Sequence, residues 1–268
     1  MVGHRPDVVV ITEFRPTLGG QVLSVLADRG LVHVEQAGTA GAESRGNRTV
    51  VVSRFPMVSG EADASPPMPA CLSRRVLVRR LLLWSEDRGT VSGSVSAKDL
   101  GVSSPDGLLL TAAHLPDDWT PSNALAGWAW LASHAIRMRD ERHVVVGDLN
   151  GSRDPGQVGG SPRHVAHAMG RLWTAGYRDA FLERDPQKAA DSGPETTWKS
   201  HWGHELRLDH AILSASLVPS LRGASYSHSP RLEGVSDHSA IVVELALDGD
   251  RGASLDEKDG KNHEKSGV

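Results

Sequence analysis

The chain has 268 residues, with 29 Lys and Arg against 33 Asp and Glu, so its formal net charge is only −4. An apolar fraction of 39% supports a hydrophobic core and excludes a mainly disordered or fibrous chain. No run approaches the roughly 18 apolar residues needed to cross a bilayer, and Val8-Val9-Val10-Ile11 is too short for a signal-peptide core.

Residues 7–13 (DVVVITE) are an apolar run ending in charge, the pattern of a buried strand. An amphipathic helix follows, with Val22, Leu23, Val25 and Leu26 on its apolar side and a stop at Gly30. Residues 31–36, 48–53 (RTVVVS), 76–84 (VLVRRLLLW) and 107–115 (GLLLTAAHL) read as strands. The stretch 60–69 (GEADASPPMP) reads as a loop inside the domain. Thr120-Pro121 opens a helix, with Thr as N-cap and Pro at the first helical position. Leu125, Trp128, Leu131, Ala132, Ala135 and Ile136 form its core stripe. Strand 143–149 (HVVVGDL) comes next, then a helix from His164 to Ala175 with Gly176 past its end. Strands 206–213 (LRLDHAIL) and 239–247 (SAIVVELAL) close a mixed α/β domain spanning 1–247. Residues 248–268 hold one Leu, one Val, six acids and four bases, and read as a disordered polar tail.

A protein that grips nucleic acid through phosphate neutralisation alone shows a basic surplus, and none exists here. If the substrate is a phosphate ester, the compensating charge comes from a metal ion. The single cysteine, Cys71, cannot form an internal disulfide. It reads as a buried thiol and fits a reducing, cytoplasmic compartment or simply a fold that needs no disulfide.

Acidic and amide residues gather at strand ends. Glu13 ends the first strand and Arg15 follows two residues later; Asp148 and Asn150 end strand 143–149 in GDLN. Side chains alternate along a strand, so Asp148 and Asn150 are expected to point the same way, as are Arg207 and Asp209 in RLD. Asp237 and His238 sit in SDHSA before the last strand, and His114 ends LLLTAAH. Strand ends on one edge are where α/β enzymes collect functional groups.

This set suits hydrolysis of a phosphate ester. A hard cation such as Mg²⁺ needs one or two carboxylates, for which Glu13 and Asp237 serve, and keeps several waters. Asp148 can orient or deprotonate the attacking water. Asn150 can donate to a non-bridging phosphate oxygen. His238 paired with Asp209 is held in one tautomer with a raised pKa, able to stabilise developing negative charge. Singly, each residue has a commoner structural explanation, because Asp and Asn favour turns. The joint, ordered occurrence carries the reading.

That ordered set resembles the endonuclease/exonuclease/phosphatase superfamily, the group with the deoxyribonuclease I-like fold. GDLN at 147–150 looks like the group's GDFN signature, and SDH at 236–238 like its terminal motif. Thr197-Trp198 with RLDHAIL at 207–213 resembles its T-W…R-I-D-Y-I segment, and NRTVVVSRFPM at 47–57 its Gly-rich strand followed by S-R-x-P. The resemblance spans nearly all of residues 7–247. It implies a four-layer sandwich of two packed mixed β-sheets flanked by helices, and a monomeric Mg²⁺- or Mn²⁺-dependent phosphoesterase. It implies Glu13 as main metal ligand, Asp237 as a metal-associated acid and Asp148 as the water-orienting carboxylate. Asn150 would contact the phosphate, Asp209 and His238 would be the Asp–His pair, and His114 would lie near the leaving group. Arg15 matches a phosphate-contacting position of some nuclease members. Nucleic acid is the first-ranked substrate.

The group normally opens with an Asn-bearing strand some 25–40 residues before the metal-binding Glu. Only twelve residues precede Glu13 here, and none is Asn. An absent first strand is expected to leave a sheet edge open. It also leaves a second reading from another class, an inactive remnant or binding module with the same fold.

Among smaller features, His201/His204 and His164/His167 lack the partner set of a zinc site. Trp128, Trp130 and Trp173 read as packing, whereas Trp119 and Trp202 lie in loops that can line a substrate groove. The Gly-rich loop 152–161 is expected to shape the substrate entrance, and Arg74-Arg75 and Arg79-Arg80 read as a solvated strand face ahead of the alternative, a phosphate-binding patch.

Overall fold

β-Branched and leucine-rich runs that are buried on both faces dictate a layered molecule, because each sheet face must be covered. The computed structural model describes residues 5–16, 19–37, 48–59, 71–76, 80–85, 108–116, 121–151, 163–184 and 195–247. The loops 60–69 and 152–161, Trp119, Thr120 and the tail 248–268 lie outside these, as do the side chains of Cys71, Arg74, Arg75 and His164.

The first half of the chain runs β1 (Val8–Phe14), α1 (Gly20–Ala27), β2 (His33–Gln36), β3 (Arg48–Ser53), β4 (Val58–Ser59), β5 (Cys71–Val76), β6 (Arg80–Ser85) and β7 (Leu108–His114). The second runs α2 (Pro121–Arg137), β8 (His143–Asp148), α3 (Arg163–Thr174), β9 (Arg178–Asp179), α4 (Ala180–Arg184), β10 (Trp198–Lys199), β11 (Glu205–Leu206) and β12 (Asp209–Leu213). A 3₁₀ turn (Val218–Ser220), β13 (Leu221–Ser227), α5 (Ser229–Leu232) and β14 (Ala240–Leu245) complete it.

Two six-stranded mixed sheets form, one in the order β13-β14-β6-β1-β3-β2, the other β4-β5-β7-β8-β12-β9. They pack face to face, with β1 against β7 and β8 and β14 against β12. Strand alternation explains the layering. Val8, Val10, Val51, Val144, Val146 and Val243 fill the space between the sheets. Their neighbours Val9, Ile11, Val50 and Val52 face outward onto Leu26 of α1 and Leu31. Val145 and Ile212 face Trp128, Leu131, Val165 and Leu172 of α2 and α3. The expected four layers are therefore helix, sheet, sheet, helix. Trp128 is fully buried, and Trp130 and Trp173 pack beside it.

The structure corrects several boundaries. Residues 76–84 are not one strand: β5 ends at Val76 in one sheet and β6 begins at Arg80 in the other. This removes the open edge expected beside β1. β6 lies parallel to β1 (Val8↔Leu81 through Thr12↔Ser85) and antiparallel to β14, while β3 covers the other side of β1. Residues 206–213 divide into β11 and β12, and β13, an unforeseen strand, pairs with β14. In the α2 stripe Leu125 is 51% exposed, and the face is completed instead by Ala124 and His134.

His134 belongs to a buried polar chain under α2. The Tyr177 hydroxyl donates to the Ala135 carbonyl (2.7 Å), so it accepts from His143 Nδ1 (2.6 Å). With neutral rings, His143 Nε2 accepts from the Thr111 hydroxyl (2.9 Å), which in turn accepts from His134 Nε2 (3.1 Å). His134 Nδ1 is left buried without a hydrogen-bond partner. Burial, and secondarily the Arg137 charge, pull the His134 pKa down to about 4.

Candidate active site

Strand register, more than sequence proximity, assembles the site. β7 and β8 run parallel with His114 beside Asp148, and β8 and β12 run antiparallel with Asp148 beside Asp209. Three of the expected residues thus stand in a row across one end of a sheet. Glu13 arrives from the other sheet at the same end: His114 Nε2 lies 3.9 Å from Glu13 Oε1 and 3.6 Å from Asp148 Oδ2. β14 starts there too, and His238, just before it, places Nδ1 2.8 Å from Asp209 Oδ2 and Nε2 4.0 Å from Asp148 Oδ2. Glu13, His114, Asp148, Asp209 and His238 therefore form one continuous cluster drawn from both sheets. Arg15 follows β1 at this end, half-buried.

Asp209 and His238 are clamped by the segment before β10. The Thr197 hydroxyl accepts from the N–H groups of Leu208 (3.0 Å) and Asp209 (3.1 Å), and its carbonyl accepts from Ser239 N–H (2.6 Å). The Tyr226 hydroxyl donates to the Asp209 carbonyl (2.8 Å). The Trp198 indole N–H donates to Asp237 Oδ2 (3.0 Å), and the Ser236 hydroxyl accepts the His238 N–H (3.0 Å). Trp202, at the β10–β11 turn, is 79% exposed.

Asn150 meets Asp148, but not by strand alternation. β8 ends at Asp148, and Asn150 lies in a turn with φ 46°. Its N–H donates to Asp148 Oδ1 (3.0 Å) and its side-chain Nδ2 to the Leu115 carbonyl (2.8 Å). Glu13 also has positive φ, 57°, where β1 breaks its register with β3. These are the two described non-glycine residues in this disfavoured region, which costs of order 1–3 kcal/mol each and concentrates at functional sites. The Arg207 relation also differs from expectation. Arg207 precedes β12 and turns to Asp179 (2.8 Å), while Asp209 turns to His238.

Charge is crowded here. Burial raises the Asp148 pKa well above the carboxylate range; Asp209 and Glu13 push the same way against His238 and the Asn150 N–H. Burial alone would lower the His238 pKa, but the Asp209 carboxylate, helped by Asp148 and Asp237, lifts it to about 10. His114 is pulled down to about 4 by burial and the His238 charge. His238 is thus an imidazolium and His114 a neutral ring near neutral pH.

Among the described residues no three His, Cys, Asp or Glu groups close into a ready-made metal cage. The donor chemistry nevertheless fits a hard cation that keeps most of its waters. The groups are carboxylates, and Asp209 Oδ1 and Asp237 Oδ1 are shielded atoms with no hydrogen-bond partner. A divalent ion would offset the Asp209 and Glu13 charge that adds to burial in raising Asp148. No described helix is long and apolar enough to cross a membrane.

Sequence reasoning missed Asp179 and His210, which are buried behind the row, and the half-buried Tyr226, whose hydroxyl holds the Asp209 carbonyl. Their one visible signal was the basic Arg207, charged yet embedded in an apolar run.

The model of the Endonuclease/Exonuclease/phosphatase family matches residues 1–238. The fold resembles a Neisseria 3′ phosphatase, NExo, solved with a product DNA hairpin: TM-score 0.62, 17% identity, 90% of each chain covered. It also resembles an AP endonuclease from Archaeoglobus fulgidus: TM-score 0.63, 15% identity, 91% of this chain and 90% of that one. A third similar structure is the endonuclease domain of the telomere-specific retrotransposon TRAS1, with TM-score 0.54 and 13% identity over 91% of this chain and all of that one. No curated protein matches the chain.

Proposed function

The chain belongs to the endonuclease/exonuclease/phosphatase family, and from that premise we propose that it is a Mg²⁺- or Mn²⁺-dependent hydrolase of phosphodiesters, with nucleic acid as substrate. The observation that supports this best is the single cluster of Glu13, His114, Asp148, Asp209 and His238 at one mouth of the sandwich. The similar Neisseria enzyme was solved with DNA.

Glu13 and Asp237 would hold the cation. When bound, it stabilises charge on the phosphoryl oxygens and the leaving group. Asp148 orients the attacking water and accepts its proton; burial makes the ionised carboxylate a strong acceptor. The water oxygen bonds to phosphorus as the ester P–O bond breaks. Asn150 Nδ2 gives one N–H to the Leu115 carbonyl (2.8 Å) and reaches Asp148 Oδ2 only at 3.5 Å, a long contact it would exchange for a non-bridging oxygen. His238, charged and fixed by Asp209, faces the developing negative charge. His114 stands between Glu13 and Asp148 as a neutral donor toward the leaving oxygen, and Arg15 contacts a flanking phosphate.

The test is turnover of plasmid DNA, RNA, bis-p-nitrophenyl phosphate and inositol phosphates with Mg²⁺ or Mn²⁺. EDTA should abolish it, and Asp148→Ala and His238→Ala should each lower it by ~10²-fold or more. Full activity of either variant refutes the roles assigned. Turnover of no substrate by folded wild-type protein favours the non-catalytic module.

A further inference from the structure

We infer that His210, fixed by Asp179, is a positioning residue that holds the Asn150 turn in its working shape; this rests on the phosphate-binding role proposed for Asn150. His210 is the residue after Asp209 in β12, so alternation turns it to the opposite face of the sheet, away from the cluster. It is fully buried there. Its Nε2 lies 2.8 Å from the Gly151 carbonyl and 3.2 Å from the Arg207 carbonyl. A carbonyl only accepts, so Nε2–H donates. Its Nδ1 lies 2.9 Å from Asp179 Oδ2, a second oxygen that accepts.

Asp179 is itself immobilised from both ends. Oδ2 also takes Arg207 Nη1 (2.8 Å), and Oδ1 takes the N–H groups of Phe181 (3.1 Å) and Leu182 (3.3 Å) at the start of α4. The His210 ring is thus a strut from a fixed carboxylate to the carbonyl of Gly151.

The strut matters because its far end adjoins strained backbone. Asn150 has φ 46°, a left-handed conformation that asparagine tolerates better than most L-residues but that still gives way readily when the contacts around it are lost. On its N-terminal side the turn is held by the Asp148 carboxylate and by Leu149 N–H on the Leu208 carbonyl (2.9 Å), while the Asn150 amide itself is anchored at the Leu115 carbonyl (2.8 Å) and, weakly, at Asp148 Oδ2 (3.5 Å). On its C-terminal side, among the described residues, His210 supplies the polar tie. Gly151 is wedged as well: an added Cβ would lie 2.5 Å from Val165 Cγ1 and 2.9 Å from Trp128 Cζ2. Without the tie the turn relaxes and the Asn150 amide swings from its place beside Asp148. A displacement of about 1 Å at such a group can cost ~10²-fold in rate.

Two amides separate the ring nitrogens. In His210→Gln the terminal nitrogen lies where Nε2 was and keeps the bond to Gly151. In His210→Asn it lies where Nδ1 was and keeps only Asp179. With Mn²⁺ and bis-p-nitrophenyl phosphate, His210→Asn should lower kcat ~10-fold or more with little change in KM, and His210→Gln should recover most of that loss. In an Asn150→Ala background His210→Asn should cost less than ~3-fold, because it acts through Asn150. Asp179→Asn, isosteric with the native residue, should behave like His210→Asn, and decides the question if His210→Asn does not fold. An equal loss with or without Asn150, or equal losses for the Gln and Asn variants, overturns the inference. Wild-type protein inactive on every phosphodiester overturns the proposed function and this inference together.

Discussion

Acidification should strip stability from this protein through one identifiable histidine. His134 is buried and neutral, its pKa lowered from 6.5 to about 4, first by burial and then by Arg137. A group whose folded pKa is depressed contributes stability above its unfolded value, and loses it as pH falls toward the folded one. The unfolded chain takes up the proton near pH 6.5 and the folded chain only near pH 4. The window is therefore pH 6.5 to 4. For one site with these two values, linkage gives a loss of about 2 kcal/mol between pH 7 and pH 5, and about 3 kcal/mol by pH 4. The assay is urea unfolding of metal-free protein at pH 7 and pH 5, on wild type and on His134→Gln. The glutamine keeps a donor for Thr111 but does not titrate. It should be less stable than wild type at pH 7 and should lose about 2 kcal/mol less between the two pH values. Equal losses in both proteins would show that His134 is not the group that resists protonation.

Asp148→Asn removes a buried carboxylate crowded by Asp209 and Glu13. It should raise the thermal midpoint of metal-free protein while lowering hydrolysis by ~10²-fold or more; a lower midpoint contradicts the crowding. Arg207→Met leaves Asp179 charged, buried and short of its main partner, and should cost about 3–5 kcal/mol in urea unfolding. A cost under ~1 kcal/mol would mean that the pair is not buried as described. Gly147→Ala would place a Cβ 1.6 Å from the Ala113 carbonyl oxygen, with φ 156° already disfavoured. It should cost more than ~4 kcal/mol or abolish folding, and native-like circular dichroism melting would refute the close approach of β7 and β8.

The parts of the fold that were legible are those whose neighbours on both faces are apolar. Runs such as 8–14, 48–53 and 143–148 announce themselves because they are short and rich in β-branched residues, which favours an inner strand over a buried helix. Residues 76–84 misled because only Arg79-Arg80 separate the two apolar runs, with no Gly, Pro, Asn or Asp to mark the change of sheet. β13 escaped notice because it is an edge strand, half-exposed, and carries Gly223 and serines instead of an alternating apolar face. The cluster residues could be named because each sits at a strand end, but their meeting depends on register. That Asp148 stands beside both His114 and Asp209 follows from pairings between strands far apart in sequence. The alternation argument reached Asn150 by the wrong route, since a turn brings it to Asp148. Asp179 and His210, 31 positions apart, carry no local pattern at all; only the tertiary pairing creates their role.

Glu13 and Asn150 share one further property with a practical edge. Glycine at either position would adopt the observed backbone without steric cost, gaining about 1 kcal/mol. A directed-evolution campaign that rewards heat tolerance alone should therefore enrich glycine at both codons and return a sturdier protein stripped of its carboxylate and its amide. Survivors of such a screen that retain Glu13 and Asn150 would mark where usefulness, and not durability, has been the selecting hand.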